Sequence, residues 1–210
     1  MTISIIGAGN VGGTLGRIWA LKGHSILFGV RNPKSEKTLR SLSDAGPSAQ
    51  VLFVKEAAAR SEIVVLATPW ESVPEVVFQI ADMSGKILVD CTNPVRPNPE
   101  WPLSQGTSAA EEIAKRLPGF RVVKAFNTLG AGSLVDVTFE SMKADGFLCG
   151  DDTEAKQLVG RLAEEVGLRP VDVGGLRNAE LLESLAKLWI TLAYQQGIGP
   201  NIAFKLLHRF

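Results

Sequence analysis

The chain has little with which to build a metal centre or a disulfide framework. Among 210 residues there are two cysteines, Cys91 and Cys149, and two histidines, His24 and His208. The cysteines stand far apart, form no CxxC pair and have no neighbouring histidine, so zinc ligation is excluded and a reducing cytoplasm is expected. The single tyrosine, Tyr194, is followed four positions later by Ile198, so a Tyr-x-x-x-Lys reductase pair is absent. Net charge is also missing: 22 Lys and Arg balance 22 Asp and Glu. A protein that neutralises a nucleic-acid backbone needs a basic surplus, and a disordered charged tail needs an excess of one sign. The longest apolar stretch, 181–194, is interrupted by Glu183 and Lys187 and falls short of a membrane span. There is no GxSxG elbow and no phosphate loop ending in Gly-Lys-Ser/Thr. The chain opens on the strand pattern Ile3-Ser4-Ile5-Ile6, so no signal peptide is expected. The expectation is a cytoplasmic protein with no metal, no nucleic-acid partner and no membrane anchor.

What the sequence does have is alternation. Short β-branched runs at 2–6, 25–30, 50–53, 63–67, 87–90 and 121–125 are separated by helical patterns at 10–22, 34–43, 55–60, 70–82 and 108–117. The strands lack in-and-out polarity, which predicts a parallel sheet covered on both faces. A shorter α/β stretch follows, with strands at 146–149 and 169–173 and a helix at 152–166. The tail, 178–210, reads as helical, broken at Gly197-Ile198-Gly199-Pro200. The fold class is therefore α/β: a Rossmann-type doubly wound parallel sheet with a short α/β extension and a helical C-terminal tail. Residues 1–127 form the nucleotide-binding domain, and 128–210 pack on it as one compact unit. The Pro-rich stretch at 93–99 reads as a loop after a strand.

Gly7-Ala8-Gly9-Asn10-Val11-Gly12 is GxGxxG, placed after a strand and opening a helix within a complete βαβ unit. Gly7 permits the tight turn, Gly9 lets the backbone approach a pyrophosphate, and Gly12 lets helix and strand pack closely. The phosphates would meet free N–H groups at the helix N-terminus. After the second strand the chain reads Val30-Arg31-Asn32-Pro33-Lys34, with no acid before Glu36. An acid there would hold an NAD ribose; Arg31, aided by Asn32 and Lys34, suits the 2′-phosphate of NADP instead.

Thr68-Pro69-Trp70-Glu71 has the spacing of an N-terminal capping box, with Thr68 as cap. Ala67, Thr68 and Pro69, Asn93, and Ala125 with Asn127 also follow three strands at their carboxyl ends, where ligands of such sheets bind. Asp151 with Glu154 and Ser108 with Glu111 read as capping boxes, and His24 as a surface residue. Lys124 and Lys187 are possible proton donors, although nothing in the spacing distinguishes them from ordinary lysines. No residue is assigned as a catalytic acid or base. Carbonyl reduction requires a positioned proton donor, whereas hydride transfer between a nicotinamide and a stacked flavin-like ring mainly requires geometry.

The segments 7–12, 28–33, 68–71, 85–90, 122–128 and 149–152, in this order, resemble those of the deazaflavin-coenzyme (F-420)-dependent NADP oxidoreductases. They are similar as well to the cytoplasmic reductase domain of the six-transmembrane epithelial antigen of the prostate metalloreductases. The resemblance implies NADP held by Arg31 at the 2′-phosphate, with Thr68, Pro69 and Asn93 along the nicotinamide half. Asn127 would face a deazaflavin, FMN or FAD acceptor. The chain departs from the family at Val30, where serine is frequent, and at Asn127, where archaeal members tend to carry histidine. Two other readings compete: a short β-hydroxyacid dehydrogenase or pyrroline-5-carboxylate reductase relative, which the short helical tail disfavours, and a non-enzymatic NADPH sensor. Finally, Leu181, Leu182, Leu185, Leu188, Trp189 and Leu192 recur at helical spacing, and an apolar patch follows at 202–207. So much apolar surface on a tail predicts a homodimer through the C-terminal helices.

Overall fold

Residues 1–95 and 106–209 are described by a computed structural model. Arg96 to Pro99 of the proline-rich stretch lie outside the described residues. Eight strands form one sheet. Strands β1 (Thr2–Ile6), β2 (Ser25–Val30), β3 (Ala49–Phe53), β4 (Ile63–Leu66), β5 (Ile87–Asp90) and β6 (Arg121–Ala125) run parallel. Their order, 3-2-1-4-5-6, is that of the doubly wound nucleotide-binding fold, with the chain reversing direction at the β1–β4 junction.

Burial explains why these runs become central strands. All residues of β4 and β5 are buried, so neither face has room for a polar alternation. On one face, helices α1 (Asn10–Leu21), α2 (Glu36–Ala45) and α6 (Thr153–Val166) cover Ile3, Ile5, Phe28 and Val65. On the other, α3 (Val54–Ala59), α4 (Val73–Ile80), α5 (Ala109–Arg116) and α7 (Ala179–Ile190) cover Ile6, Leu27, Leu66 and Leu88.

The extension continues the same sheet but turns it around. Strand β9 (Asp145–Gly150) pairs antiparallel with β6, and β10 (Arg169–Asp172) pairs parallel with β9 through α6. A small hairpin, β7 (Thr138–Phe139) and β8 (Met142–Lys143), precedes them. Trp19 of α1 donates its indole N–H to the Leu162 carbonyl at 3.1 Å, tying α6 to the first helix.

The tail differs from the expected pair of helices. Helix α7 closes in a π-helical turn, Thr191–Gln195, and residues 200–209 have no regular structure. Gly197 and Gly199 both adopt positive φ, which ends the helix, and the following chain finds partners elsewhere. The Trp189 indole donates to the Ile202 carbonyl at 2.8 Å, and the Leu206 amide donates to the fully buried Asp145 carboxylate at 2.6 Å. Among the described residues no helix is long and apolar enough to cross a membrane.

Candidate functional site

The turn from β1 into α1 sits where the chain reverses direction. Gly7 has φ 105°, and a methyl group there would lie 2.5 Å from the Ala67 carbonyl at the end of β4. A methyl on Gly12 would collide with the Gly7 carbonyl oxygen and come within 2.9 Å of Ile5. Gly9 is different: its side-chain direction is open, the nearest group being the Lys37 ammonium at 3.5 Å. Gly9 is also the cap position of α1, and no side chain caps that helix end among the described residues. Two crowded glycines thus flank an open one at a bare helix N-terminus, an arrangement that fits a pyrophosphate. Ala8, buried in the loop, is braced by the Ser41 hydroxyl, which donates to its carbonyl at 3.1 Å. Asn10 and Val11 form the first turn.

A cleft of ≈ 590 Å³ opens beside this turn, lined in part by Gly9, Asn10, Lys37 and Arg40. Lys37 and Arg40 have no counterpart in the sequence reading, because a helix separates them from the glycine motif and only α1–α2 packing brings them together.

At the end of β2, Arg31 is exposed. Its nearest charge is Glu75 of α4, at 3.8 Å. The strand end has no acid of its own in the sequence, but in space an acid from another helix stands beside Arg31. Asn32 is committed to its own turn: its side-chain oxygen accepts the Lys34 amide at 3.0 Å, and its carbonyl accepts the Thr38 hydroxyl at 3.3 Å. Lys34 points to solvent.

The remaining predicted residues gather at three strand ends and α7, and none of them lines that cleft. Asn127 donates from Nδ2 to Asn93 Oδ1 and to the Leu182 carbonyl, both at 3.1 Å, while Asn93 Nδ2 donates to the Asn127 carbonyl at 3.0 Å. Because both partners of Nδ2 are acceptors, the amide orientation is fixed, and Asn127 Oδ1 remains buried without a hydrogen bond among the described residues. The turn depends on Phe126, a non-glycine residue at φ 60° whose ring packs edge-on against Trp19 at 5.7 Å. Ala125 is buried just before it.

The expected capping role of Thr68 is not observed. Pro69 is extended (ψ 147°), so the 3-10 turn begins at Trp70 and α4 follows at Val73, with no side-chain cap. The Thr68 hydroxyl is left buried without a partner among the described residues. Two unpaired buried oxygens, on Thr68 and Asn127, thus belong to the same sheet edge as the bare end of α1. Buried polar atoms are nearly always paired, so these fit a ligand that supplies donors.

Beneath them lies a cluster that spacing could not reveal. Lys124 is fully buried; its ammonium donates to Asp90 Oδ2 at 2.9 Å, Glu183 Oε1 at 2.9 Å and the Thr92 carbonyl at 2.6 Å. Asp90 also accepts the Thr92 amide and hydroxyl. Glu183 accepts the Ala109 and Ala110 amides at the start of α5. Burial works against the charge on Lys124, but the two carboxylates outweigh it and raise its pKa. Burial raises that of Glu183, opposed by Lys124. All three Lys124 donors are engaged, so this lysine has no proton to offer a substrate. Nor do the cysteines offer a nucleophile: both are buried, and burial pushes the Cys149 thiol up to about 12.

Other expectations divide. Ser108 and Glu111 form the reciprocal capping box. Asp151 does not cap α6; Asp152 does, accepting the Ala155 amide, while Asp151 accepts the Leu176 amide at 2.8 Å. His24 is buried rather than on the surface, with Nε2 2.8 Å from Glu165. Among the described residues no three metal-ligating side chains cluster.

Comparison with known proteins gives a consistent family. Residues 2–94 match the family described as NADP oxidoreductase, coenzyme F420-dependent. The F420-dependent NADP reductase of Methanothermobacter thermautotrophicus is 32% identical, over 91% of this chain and 89% of its own length. Metalloreductase STEAP3 of Rattus norvegicus is 33% identical over 87% of this chain, but the chain spans only 36% of that protein. A crystal structure of a candidate F420-dependent NADP-reductase from Arthrobacter sp. FB24 superposes with a TM-score of 0.90 at 30% identity, covering 99% of this chain and 100% of the other.

Proposed function

The chain belongs to the family of coenzyme F420-dependent NADP oxidoreductases, and from that premise we propose that it passes hydride between NADP(H) and a deazaflavin or flavin acceptor. The observation that carries this reading is the pair of buried oxygens, Thr68 Oγ1 and Asn127 Oδ1, that have no partner among the described residues, on the same sheet edge as the bare N-terminus of α1. Bound NADP(H) would supply the hydride chemistry. The chain's own residues bind and orient. Gly7, Gly9 and Gly12 with Ala8, Asn10 and Val11 receive the pyrophosphate; Arg31, with Asn32 and Lys34 nearby, meets the 2′-phosphate. Ala67, Thr68, Pro69, Asn93, Ala125 and Asn127 line the nicotinamide half. No side chain serves as an indispensable acid or base: Lys124 is saturated, and Tyr194 lies exposed, edge-on to Trp189. Stacked hydride transfer asks for distance and alignment rather than a proton donor.

The free buried thiols suit a reducing cytoplasm. Assembly as a homodimer is part of the same reading. Helix α7 turns Leu182, Ala186 and Trp189 inward but leaves Leu181 and Leu188 exposed, together with Tyr194, Ile198, Leu206 and Leu207 of the tail. A second copy is the occupant such a patch suits. Sedimentation at high micromolar concentration should give a dimer, and a well-behaved monomer removes this part. The test of activity is anaerobic NADPH oxidation against deazaflavin, FMN, FAD and ferric chelates. Turnover with a flavin-type acceptor is expected. Tight NADPH binding with no turnover of any acceptor would point to a nucleotide sensor instead.

A further inference from the structure

Three observations meet at α7. The Asn127 amide is aimed by the Leu182 carbonyl, 3.1 Å away. The next residue, Glu183, is the only acid of that helix among its buried residues, and it bonds Lys124 at 2.9 Å and the first amides of α5. Lys124 in turn holds Asp90 and the Thr92 carbonyl, one residue before Asn93, which is the other partner of the Asn127 amide. Both acceptors of Asn127 Nδ2 are therefore set by one buried charge cluster, Leu182 through Glu183 and Asn93 through Thr92.

We infer that Lys124 and Glu183 are positioning residues: together they dock α7 on the ends of β5 and β6 and so fix the Asn127 side chain, its Oδ1 buried and unpaired among the described residues, beside the nicotinamide half of the site. All partners of both Glu183 oxygens are donors and all partners of Lys124 are acceptors, so the ionised pair is the form that the geometry satisfies. A neutral amide at 183 presents an N–H to a donor on one side or the other, and α7 must shift or rotate to relieve it. The glycine turn and Arg31 share no hydrogen bond with this cluster. The adenosine half of the site should be indifferent to it.

This role rests on the NADP reading, and the experiment separates the two. Calorimetry of the full chain with 2′,5′-ADP probes the phosphate half alone, and NADP⁺ probes both halves. In Glu183→Gln, 2′,5′-ADP affinity should stay within about twofold, while NADP⁺ affinity falls at least about fivefold. Adding Asn127→Ala to Glu183→Gln should weaken NADP⁺ no further than Asn127→Ala alone, because both act through one atom. If Glu183→Gln does not fold, Glu183→Asp keeps the charge with a shorter reach and should give a smaller loss confined to NADP⁺. Equal losses for both ligands, or fully additive effects of 183 and 127, would overturn the positioning role. Failure of the unaltered protein to bind either nucleotide overturns the cofactor assignment, and this role with it.

Discussion

The two halves of the crevice are built in opposite ways. The half proposed for the phosphates is contiguous: residues 7–12 supply a turn, a bare helix end and an open approach, mostly with backbone. The half proposed for the nicotinamide is assembled from β4, β5, β6 and α7, with Lys124, Asp90 and Glu183 meeting from distant parts of the chain. The first half tolerates no added bulk at Gly7 or Gly12, while the second tolerates no unpaired charge. A backbone site is limited by sterics, whereas an assembled polar site is limited by the cost of burying ions, which only complete pairing offsets.

The largest expected effect comes from breaking the assembled half. Lys124→Met strands two carboxylates in the core and should cost about 3–5 kcal/mol of folding stability, read from the denaturant midpoint. An essentially unchanged midpoint would show that the cluster does not act as a unit. Next is the contiguous half. Gly12→Ala places a methyl against the Gly7 carbonyl and Ile5; overpacking of this kind costs about 1–3 kcal/mol, and 2′,5′-ADP binding should disappear with it. Retained binding in calorimetry would contradict the close helix–strand contact.

Arg31→Glu sharpens the comparison by acting on side-chain charge within the backbone half. It should weaken NADPH by about 2 kcal/mol through loss of a charge-assisted bond, leaving NADH nearly untouched. Equal NADH and NADPH affinities in the unaltered protein would remove the basis for this assignment. The smallest effect belongs to Glu75→Gln. The Arg31–Glu75 pair is exposed and 3.8 Å long, so freeing Arg31 should improve NADPH over NADH by roughly 0.2–1 kcal/mol. A shift toward NADH would show that Glu75 repels no phosphate.

Legibility follows the same division. The β1–α1–β2 unit and its glycines could be read because each step of the argument concerns neighbours in the chain. Thr68 was misread for a local reason: its residue types satisfy a capping box, but Pro69 delays the turn by one position and releases the hydroxyl. Asp152 rather than Asp151 caps α6, because capping-box spacing records residue types and not the residue at which the helix starts. Lys37, Arg40, Glu75 and Glu183 left no signal, since their importance lies in what packs against them.

The amino-acid order alone determined the alternation of strands and helices, the doubly wound parallel sheet that such alternation favours, and the glycine turn after the first strand. These rest on steric rules and hydrophobic patterning that act within a few residues. Tertiary structure alone decided that β9 would run antiparallel, that the chain after Pro200 would not resume a helix, and that Lys124 would become a saturated buried cation. It also decided that Asn127 would keep one oxygen unpaired. Those outcomes depend on which distant groups can satisfy a buried charge or amide, and that is settled only when the sheet and its covering helices close around them.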